Sequence, residues 1–595
     1  MQDRRIGGLV LVCLVIASGL IARLFSISIL QHDSFLAKAQ KQQIVQRDVL
    51  PRRGDVYFQN AASGKDVVVA QSVQRYSVSV TPKEVTKKAE YAHMLAGVTG
   101  TDEVSLLKIM KAGGEYTPPL QHGLNQSDMT HLADQINQLE RAADPRWVDE
   151  KVDFDSSQGN ILIFVGGVYF VREYERVYPE GPLAAQLLGF VNDQGKGQYG
   201  LEGEYDTALK GYSGKIAVEQ DSTGTSLDQQ TTVQGEDGTN YELSIDRNVQ
   251  SEAEQQLAQE IKDSGSTGGT VIVMDPKTGE IMAMASNPSY DPAAFREVKQ
   301  SDIGVFDNPA ISNLWEPGSI FKPLVMAAAM DMGLVTPDTK NDFPESVTVD
   351  GYKIETALRK AYGVETMTQV LENSDNVAMV WVADKLGNQN MYNYLQKFGL
   401  GQSTGIDLKN EIDGNLPGVS KWSDISRSTT SFGQGVAVTP IQMVSAFGAI
   451  ANGGRLVQPR MVHAIINPDG TKQPIATVEG AQVIKSQTAD QLKDMMVATV
   501  EHAHNRAGTP GYKIGGKTGT AQIPDPVNGG YLPDAYNHSF VGIGPSDNPR
   551  YVMLVKLDHP DIKKVGLYAE GTAVPLFGRL STFLLNYYQI PPTNR

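Results

Sequence analysis

The sequence predicts an α+β protein in which an antiparallel sheet is flanked by helices, behind a β-rich N-terminal region and one transmembrane helix. Three features of the 595-residue chain carry this prediction. An apolar segment opens the chain, strand-like segments lie at both ends of the region that begins at Tyr241, and helical spacing fills the sequence between them. A chain of this length is too long for one hydrophobic core, so we expect several domains.

The first thirty residues predict a membrane anchor. Ile6 to Ala22 carry no charge, and the apolar character resumes after Arg23, from Leu24 to Leu30. A bilayer core of about 30 Å needs about 20 helical residues, which this segment supplies if the Arg23 guanidinium lies among the lipid headgroups. Arg4 and Arg5 then stay in the cytoplasm, and the chain after residue 32 is exported.

A cleaved signal peptide is the alternative interpretation of the same segment. The apolar run is long for a signal peptide, and no A-x-A site follows it cleanly. We therefore favour a cytoplasmic tail and retained anchor over residues 1–32, with a single pass through the cell membrane. Either interpretation places the body of the protein outside the cytoplasm.

The composition excludes some classes of function. The formal net charge is −16, from 68 acidic and 52 basic side chains, and a general nucleic-acid binder needs clustered Lys and Arg instead. Cys13 is the single cysteine, so an intrachain disulfide and a cysteine-based zinc site are excluded. We interpret His502 and His504 as structural or exposed, because a spacing of two puts them on different sides of a helix. We expect no metal and no cofactor.

Residues 33–235 predict a separate N-terminal pedestal domain. Short strand-like stretches, such as Val67 to Ala70 and Tyr76 to Val80, are mixed with helical patterns such as Glu103 to Lys111. The stretch Gln220 to Thr239 is rich in Gly, Thr, Ser, Asp and Gln, and we interpret it as turns and a linker.

Residues 236–595 are more regular and predict the α+β domain. Strand patterns near both of its ends enclose helical segments, as expected of a sheet flanked by helices. The expected elements are a helix at Asp246 to Lys262, a hairpin of Thr270 to Met274 and Glu280 to Ala285, a strand at Tyr551 to Leu557 and a helix at Pro575 to Tyr588.

The first candidate catalytic motif is Ser319-Ile-Phe-Lys322, which follows Trp315-Glu-Pro-Gly and begins a helical stretch that stops at Gly333. An S-x-x-K spacing at a helix start places both side chains on one face, a turn apart. The helix N-terminus favours developing negative charge near the serine, and the lysine can take the serine proton if burial or a neighbouring cation lowers its pKa. About one such pair is expected by chance in a chain this long, so the motif alone is weak.

The second motif, Ser374-Asp375-Asn376, lies between helical segments around Met367 to Glu372 and Val377 to Leu386. A hydroxyl and an amide at this place can bridge a lysine and a bound amide substrate. Because Ser, Asp and Asn are also the favoured N-cap residues, a helix cap is the simpler interpretation of this motif alone.

The third motif is the segment G-G-K-T-G-T-A-Q from Gly515 to Gln522. Glycines along a short polar strand permit the close approach of another backbone, Lys517 supplies positive charge, and the hydroxyls of Thr518 and Thr520 can hold a carboxylate. Alone, a glycine-rich turn is the simpler interpretation. The segment Ile523 to His538 that follows is expected to be a mobile loop able to gate the cleft.

Together the three motifs decide between these interpretations. The set S-x-x-K, S-D-N and K-T-G is the signature of penicillin-binding proteins and class A β-lactamases, and its order and its context of helix start, interhelical loop and edge strand both fit. The sequence therefore resembles the penicillin-binding/β-lactamase-like transpeptidases. The segments that resemble the transpeptidase domain of class B penicillin-binding proteins are Gly269 to Asn287, Asn308 to Gly333, Phe398 to Pro417 and Ser431 to Gly454.

The N-terminal region resembles the pedestal, or dimerisation-type, domain of the same class, so the resemblance covers essentially the whole chain. One departure is Tyr57 to Gly64, which differs from the family's usual D-R-N-G turn and leaves the chemistry unaffected. The segments that carry this resemblance are Arg53-Gly-Asp-Val56, Arg176-Val-Tyr-Pro179, Gly189-Phe190, Gly200-Leu-Glu-Gly203 and Leu209-Lys-Gly211.

The resemblance implies a serine D,D-transpeptidase that crosslinks peptidoglycan and is acylated by penicillin. Ser319 is expected to attack the penultimate D-Ala carbonyl of a stem peptide with Lys322 as base, and an amine from a second stem peptide then resolves the ester. The other implied roles are proton relay for Ser374, orientation of lysine and substrate for Asn376, positive potential for Lys517, substrate carboxylate binding for Thr518, Gly519 and Thr520, and an oxyanion hole from the backbone N–H groups of Ser319 and Thr520.

Three other functions are weighed against this one. A β-lactamase would need a water-activating glutamate, and no E-x-x-L-N pattern lies between Asn376 and Lys517. A bifunctional transglycosylase–transpeptidase would need an E-D-x-x-F type motif ahead of residue 240, which the sequence lacks. A non-catalytic sensor or scaffold is disfavoured because all the acylation residues are present.

The resemblance also implies the binding partners. These are peptidoglycan stem peptides on lipid II-derived glycan strands, β-lactams, the cytoplasmic membrane, and a SEDS-family glycosyltransferase with divisome proteins, without any nucleic acid. The block Ser431 to Gln442 looks more like the division-type proteins, which favours septal wall synthesis. An elongation-type role is the alternative.

Overall fold

The computed structural model describes residues 2–33, 44–113, 117–149, 162–220 and 226–592. The chain forms two compact units, each of which is discontinuous in sequence. The smaller unit comprises residues 1–53, 72–175 and 210–238, and the larger unit comprises residues 54–71, 176–209 and 239–595. Two segments of the predicted pedestal, 54–71 and 176–209, thus belong to the larger unit.

An apolar helix opens the smaller unit, from Gln2 to Phe25, and continues as one π-helical turn at Ser26–Leu30. Among the described residues, Ile6–Leu30 is the segment long and apolar enough to cross a membrane, with a mean hydropathy of 2.4. Its side chains are not buried against the rest of the protein. The segment therefore fits the predicted single-pass anchor.

The rest of the smaller unit packs helices against strands around a core that includes Tyr91, Leu132 and Phe170. The predicted helix is confirmed at Glu103–Ala112, whose N-cap Asp102 accepts a hydrogen bond from Ser105 N–H at 3.0 Å. The other elements of this unit are the helices Lys88–Thr99 and Gln126–Ala143, the strands Ile44–Val49, Gln121–Leu124, Leu162–Val165, Gly214–Gln220 and Ser226–Val233, and parts of the strands Val67–Val80 and Val168–Val177.

Two predictions for this region are wrong in detail. The two predicted strands at 67–70 and 76–80 form one continuous strand, Val67–Val80. The stretch Gln220 to Thr239 is not a linker, because Ser226–Val233 is a strand paired antiparallel with Gly214–Gln220. The turn-forming composition misled the prediction, since pairing with a neighbouring strand satisfies the backbone groups whatever the side-chain polarity.

A five-stranded antiparallel sheet is the centre of the larger unit. Its strands are β1 (Gly268–Met274), β2 (Ile281–Asn287), β3 (Gly515–Pro524), β4 (Tyr531–Gly544) and β5 (Tyr551–Asp558). Their spatial order is β2-β1-β5-β4-β3, with every neighbouring pair antiparallel. The predicted hairpin, now β1 and β2, and the predicted strand β5 are confirmed.

Helices cover both faces of this sheet. In β1 the side chains alternate, with Val271 and Val273 in one hydrophobic cluster and Ile272 and Met274 in another. Every residue of β1 is buried, which explains why its sequence is a continuous apolar run rather than an alternating pattern. The sheet therefore lies between two helical layers, as predicted.

The first layer holds the two predicted helices, which are confirmed at Arg247–Ser264 and Ala573–Tyr587. Asp246 caps the former by accepting from Asn248 N–H at 2.8 Å. The second layer includes the helices Lys322–Asp331, Pro440–Ala451 and Ser486–Ala503.

The remaining elements of the larger unit surround these layers. They are the helices Ala185–Leu188, Gly200–Glu204, Asp206–Lys210, Pro309–Ser312, Met367–Glu372, Asn376–Lys397, Asp424–Thr430 and Ile562–Val565, and the strands Val56–Gln59, Phe190–Val191, Gly197–Gln198, Asn240–Asp246, Lys340–Phe343, Ser346–Val349, Tyr352–Glu355, Gly363–Thr366, Arg455–Val457, Val462–Ile466, Lys472–Pro474 and Glu479–Gln482.

Two of the pedestal-like sequence motifs meet in a buried ion pair of the larger unit. Arg176 Nε donates to Glu202 Oε1 at 2.6 Å, and Arg176 Nη1 donates to the carbonyl of Gly54 at 2.8 Å. The side chains of the pair are 5% and 0% exposed. Glu202→Ala removes the carboxylate that accepts from Arg176 Nε, so we expect a loss of about 3–5 kcal/mol in the free energy of unfolding, measured by urea denaturation.

The exposed ion pair of Arg296 with Asp193 supplies the matched control, because its side chains are 62% and 66% exposed. Asp193→Ala is expected to cost less than about 1 kcal/mol. Equal losses for the two variants would contradict a special contribution from the buried pair.

Candidate active site

The candidate nucleophile lies in a tight turn that begins the predicted helix. Gly318–Phe321 form a 3₁₀ turn, which continues as the α-helix Lys322–Asp331. Residues three apart eclipse each other in a 3₁₀ turn, so the side chains of Ser319 and Lys322 lie on one side. Gly318 has φ +59°, and a Cβ there would approach Ala521 Cβ of β3 to 3.0 Å. A glycine before the serine therefore lets the turn pack closely against β3.

Lys322 is the buried centre of the site. Its side chain is 0% exposed, and Nζ lies 2.6 Å from Ser374 O, 3.0 Å from Ser374 Oγ and 2.8 Å from Asn376 Oδ1. The structure thus brings together the first two predicted motifs. Among the described residues, Ser319 Oγ makes no hydrogen bond, and hydrogen bonds of the reacting groups are often absent in substrate-free active sites.

The Ser374-Asp375-Asn376 turn is both a helix cap and part of the site. Asp375 caps the helix Asn376–Lys397 by accepting from Val377 N–H at 2.7 Å and Ala378 N–H at 3.1 Å. Ser374 has φ +53°, a left-handed conformation that costs energy in a residue other than glycine. This conformation directs the Ser374 hydroxyl and carbonyl oxygen to Lys322, so both interpretations of the motif apply.

Asn376 is held in place from its other side. Its Nδ2 donates to the backbone carbonyl of Glu355 at 3.2 Å, which leaves Oδ1 facing Lys322. The amide orientation is thereby determined by two independent partners.

A buried pair of carboxyl groups, Glu365 and Asp375, lies behind this turn, and the sequence analysis missed Glu365. The two residues are 2% and 0% exposed, and each has one carboxyl oxygen without a hydrogen-bond donor among the described residues. Asn373 Nδ2 donates to Glu365 Oε1 at 2.6 Å. Burial and the neighbouring Asp375 carboxylate raise the pKa of Glu365 to about 7, so Glu365 is mostly protonated below neutral pH.

The charges around Lys322 act in opposite directions. Burial, and after it the positive charge of Lys517, lower the pKa of Lys322 well below its ordinary value, while Asp375 and Glu365 raise it. Protonation of Glu365 removes one of the negative charges that raise the pKa of Lys322. The net direction is the one that a lysine base requires.

The third motif lies on β3, which is the edge strand of the sheet as predicted. Lys517 is 0% exposed, and Nζ donates to Thr518 Oγ1 at 3.2 Å. Burial lowers the pKa of Lys517 to about 8, with Glu570 acting in the opposite direction. A Cβ on Gly519 would lie 2.4 Å from Ser539 Oγ and 3.0 Å from the Pro317 carbonyl, so only glycine permits this approach of the serine turn.

The two threonines of β3 face the cleft and contact different neighbours. Thr520 Oγ1 accepts a hydrogen bond from Ala569 N–H at 3.3 Å, which leaves its own proton free for a ligand. Thr518 Oγ1 lies 3.2 Å from His504 Nε2.

His504 and Glu570 line the cleft, and the sequence analysis missed their contribution. His502 is exposed, as one of the two interpretations offered, and Nδ1 lies 2.9 Å from Glu372 Oε1. His504 is buried at 7% exposure. The helix Ser486–Ala503 ends before it, and its φ of −133° is not helical, so the helical spacing used for the prediction does not apply.

The segment Ile523 to His538 is not a loop, so that prediction is wrong for its conformation. β3 extends to Pro524 and β4 begins at Tyr531, which reduces the connection to residues 525–530. Tyr531 Oη donates to Glu316 Oε2 at 2.9 Å. The sequence feature that indicates this hairpin is the Asn528-Gly-Gly turn, whose two glycines have φ of +74° and +73°. Mobility of that short turn stays a prediction.

These residues border one cleft of about 580 Å³. Lys322 and Lys517 lie behind its wall. In the part of the chain that the structure describes, no three His, Cys, Asp or Glu side chains are grouped to hold a metal ion. The residues lining the cleft include Ser319, Tyr362, Ser374, Asn376, Phe432, His504, Thr518, Thr520, Tyr568 and Glu570.

A serine in a helix-starting turn, a buried lysine three residues on and a glycine-bearing edge strand are the combination expected of the penicillin-binding fold. The family of the penicillin binding protein transpeptidase domain matches residues 269–580, and that of the penicillin-binding protein dimerisation domain matches residues 48–243. The chain belongs to the class B penicillin-binding proteins.

Individual proteins agree with this assignment. Penicillin-binding protein PbpB of Mycolicibacterium smegmatis is 34% identical over 430 residues, which are 71% of this chain and 66% of that protein, slightly under two thirds of its length. Peptidoglycan D,D-transpeptidase FtsI of Escherichia coli is 27% identical over 560 residues, 92% of this chain and 88% of that protein. The crystal structure of penicillin binding protein 3 from Mycobacterium tuberculosis, complexed with aztreonam, is 32% identical with a TM-score of 0.63, and the match covers 71% of this chain and 93% of that one.

Proposed function

We propose that this protein is a membrane-anchored peptidoglycan D,D-transpeptidase that works through an acyl-enzyme on Ser319. The observation that carries the proposal is the buried Lys322, hydrogen-bonded to Ser374 and Asn376 one turn after the serine. The family membership and the D,D-transpeptidase activity named for the Escherichia coli relative support the same reaction.

In the acylation step, Ser319 Oγ attacks the penultimate D-Ala carbonyl of a stem peptide while its proton passes to neutral Lys322. The backbone N–H groups of Ser319 and Thr520 stabilise the resulting oxyanion, with about 2.7–4 kcal/mol from each donor. The proton then passes through Ser374 to the departing amine, so that D-Ala leaves as the C–N bond breaks. Lys322 Nζ and Ser374 Oγ are 3.0 Å apart, which is within the range for proton transfer along a hydrogen bond.

The ester is then resolved by an amine from a second stem peptide. Its attack on the acyl carbon forms the crosslink and breaks the ester bond to Ser319 Oγ. A proton from the attacking amine passes to Ser319 Oγ and restores the hydroxyl. Lys517, with Thr518 and Thr520, holds the carboxylate of the donor strand during the first step. β-Lactams acylate Ser319 along the same path, which the aztreonam complex of the related protein supports.

The apolar segment Ile6–Leu30 supports a membrane anchor, and we propose that the reaction occurs at the outer face of the cytoplasmic membrane, with Arg4 and Arg5 in the cytoplasm. We propose a septal role beside a SEDS-family glycosyltransferase and divisome proteins, which the division-like block Ser431 to Gln442 supports. Depletion of the protein from cells should therefore give filaments with incomplete septa, whereas rounded cells would assign the protein to lateral wall synthesis.

The test of the reaction uses the full-length protein in detergent. Fluorescent penicillin is expected to label the folded protein with one equivalent that persists for many minutes, and peptide mass spectrometry should place the label on Ser319. Heat-unfolded protein is the control and should remain unlabelled. Absence of label on folded protein would contradict the proposal, and rapid loss of label would indicate a β-lactamase.

A further inference from the structure

A chain of polar contacts extends from the candidate carboxylate-binding residues into the wall of the cleft. His504 Nε2 lies 3.2 Å from Thr518 Oγ1, and His504 Nδ1 lies 3.2 Å from Glu570 Oε1. Lys517 Nζ donates to the same Thr518 Oγ1 at 3.2 Å. We call these four residues the His504 cluster, and the reaction path described above uses neither His504 nor Glu570.

The protonation state of the cluster follows from its burial and charges. Burial lowers the pKa of His504, Lys517 acts in the same direction and Glu570 opposes it. Burial alone would raise the pKa of Glu570, but its contact with His504 leaves that pKa lowered. At neutral pH the cluster therefore pairs an ionised Glu570 with a neutral imidazole.

A neutral imidazole has one N–H, and its position is decided by the neighbours. Nδ1 faces the Glu570 carboxylate, which accepts but cannot donate, so the proton lies on Nδ1. Their 3.2 Å contact lacks the alignment of a full hydrogen bond, which leaves this proton held mainly by charge. The bare Nε2 then accepts from the hydroxyl of Thr518.

This arrangement limits what Thr518 can offer a ligand. Its single proton is committed to His504, and its oxygen already accepts from Lys517, so no donor remains for an incoming carboxylate. The ionised Glu570 lines the same cleft and repels that carboxylate. A proton on Nε2 removes the first obstacle, because Thr518 Oγ1 then accepts from His504 and its own hydroxyl proton turns to the ligand. The positive charge of the imidazolium offsets the negative charge of Glu570.

We propose that His504 and Glu570 are positioning residues that couple recognition of a ligand carboxylate at Thr518 to the uptake of one proton at His504. The inference rests on the proposed function, since it takes Thr518 to contact the carboxylate of the donor peptide or of a β-lactam. The cluster makes the site more selective for carboxylate ligands as the pH falls.

The surroundings of His504 contain the other groups that bear on its titration. The charged side chains that change the pKa of His504 are Lys517 and Glu570. The ring of Phe540 lies edge-on to the imidazole, with 6.4 Å between the ring centroids. Arg506 Nη1 donates to the backbone carbonyl of Glu570 at 3.2 Å rather than to its carboxylate. His502, two residues before His504, contacts Glu372 instead.

The test compares a penicillin with its carboxyl methyl ester on the full-length protein between pH 5.5 and 7.5, where Lys517, with its pKa of about 8, stays mostly protonated. The measured quantity is the second-order acylation rate constant of the penicillin divided by that of its methyl ester. Both compounds need the same base, so this ratio cancels the titration of Lys322 and reports the contribution of the ligand carboxylate. The ratio is expected to rise as the pH falls, by up to about tenfold per pH unit, because one proton is taken up. The rate at saturating penicillin should carry less of this dependence than the apparent binding constant.

His504→Gln keeps a donor for Thr518 without a titrating ring, and we expect its ratio to be independent of pH. Glu570→Gln removes the charge that holds the proton on Nδ1, and should raise the ratio at pH 7.5 several-fold. His502→Gln is the matched control and should follow the wild type. Nitrogen NMR of the unliganded protein gives a second readout, with His504 expected as the Nδ1–H tautomer.

A ratio that does not change with pH in the wild type, or changes equally in His504→Gln, would overturn the inference, as would an Nε2–H tautomer in the unliganded protein. Failure of the proposed function is distinguishable, because Ser319 would then remain unlabelled by either compound at every pH. Full labelling with a flat ratio rejects the role of the His504 cluster alone.

Discussion

Replacement of Ser319 by alanine is expected to abolish covalent labelling by penicillin at every concentration and pH. The variant lacks the oxygen that forms the ester, and the other hydroxyl at the lysine, Ser374 Oγ, lies on a different turn, directly before the N-cap Asp375 of the helix Asn376–Lys397. Labelling on a gel and the intact protein mass measure the effect. A labelled Ser319→Ala protein would show that another residue is the nucleophile.

The same substitution should leave the fold unchanged. Ser319 Oγ has no hydrogen-bond partner among the described residues, so its removal leaves no buried group unsatisfied. We expect the free energy of unfolding to stay within about 0.5 kcal/mol of the wild type. Ser301→Ala, at an exposed serine outside the cleft, is the control that should label normally.

Replacement of Lys322 is expected to slow acylation by about 10² to 10⁴-fold, the range of a lost general base. Lys322→Met keeps the length of the side chain without a basic group. Lys322→Arg keeps the positive charge, but a guanidinium does not deprotonate in proteins, so it should be as slow as the methionine variant. Stopped-flow acylation kinetics distinguish the two roles, since near-normal rates in Lys322→Arg would mean that charge alone is needed.

The pH dependence of the wild type gives an independent view of Lys322. Its pKa is lowered by burial and by Lys517, and the neutral amine is the active form. Acylation of the penicillin methyl ester should therefore fall as the pH drops through that lowered pKa, and the falling limb should disappear in Lys322→Met. A falling limb that persists in the variant would assign the titration to another group, with Glu365 as the first candidate because its pKa is raised to about 7.

Much of the catalytic constellation could be predicted because its residues lie in short motifs with local structural requirements. The S-x-x-K spacing, the capping residue Asp375 and the glycines around Lys517 each specify a turn, a cap or a close approach that operates within a few residues. The hairpin of β1 and β2 and the helix after Asp246 were predicted for the same reason. Composition failed in the stretch 220–239, where Ser226–Val233 pairs with the preceding strand Gly214–Gln220 although its residues are typical of turns.

The sequence by itself determined the class of fold, the apolar N-terminal segment and the candidate nucleophile and base, because hydrophobic periodicity and short motifs encode them directly. Only the tertiary structure decided which groups surround them. Glu365 reaches the Ser374 turn from a strand. His504 reaches Thr518 from a helix end, and Glu570 reaches His504 from a turn. The direction of a hydrogen bond and the pKa of a buried group depend on neighbours in space, and no pattern of adjacent residues records those neighbours.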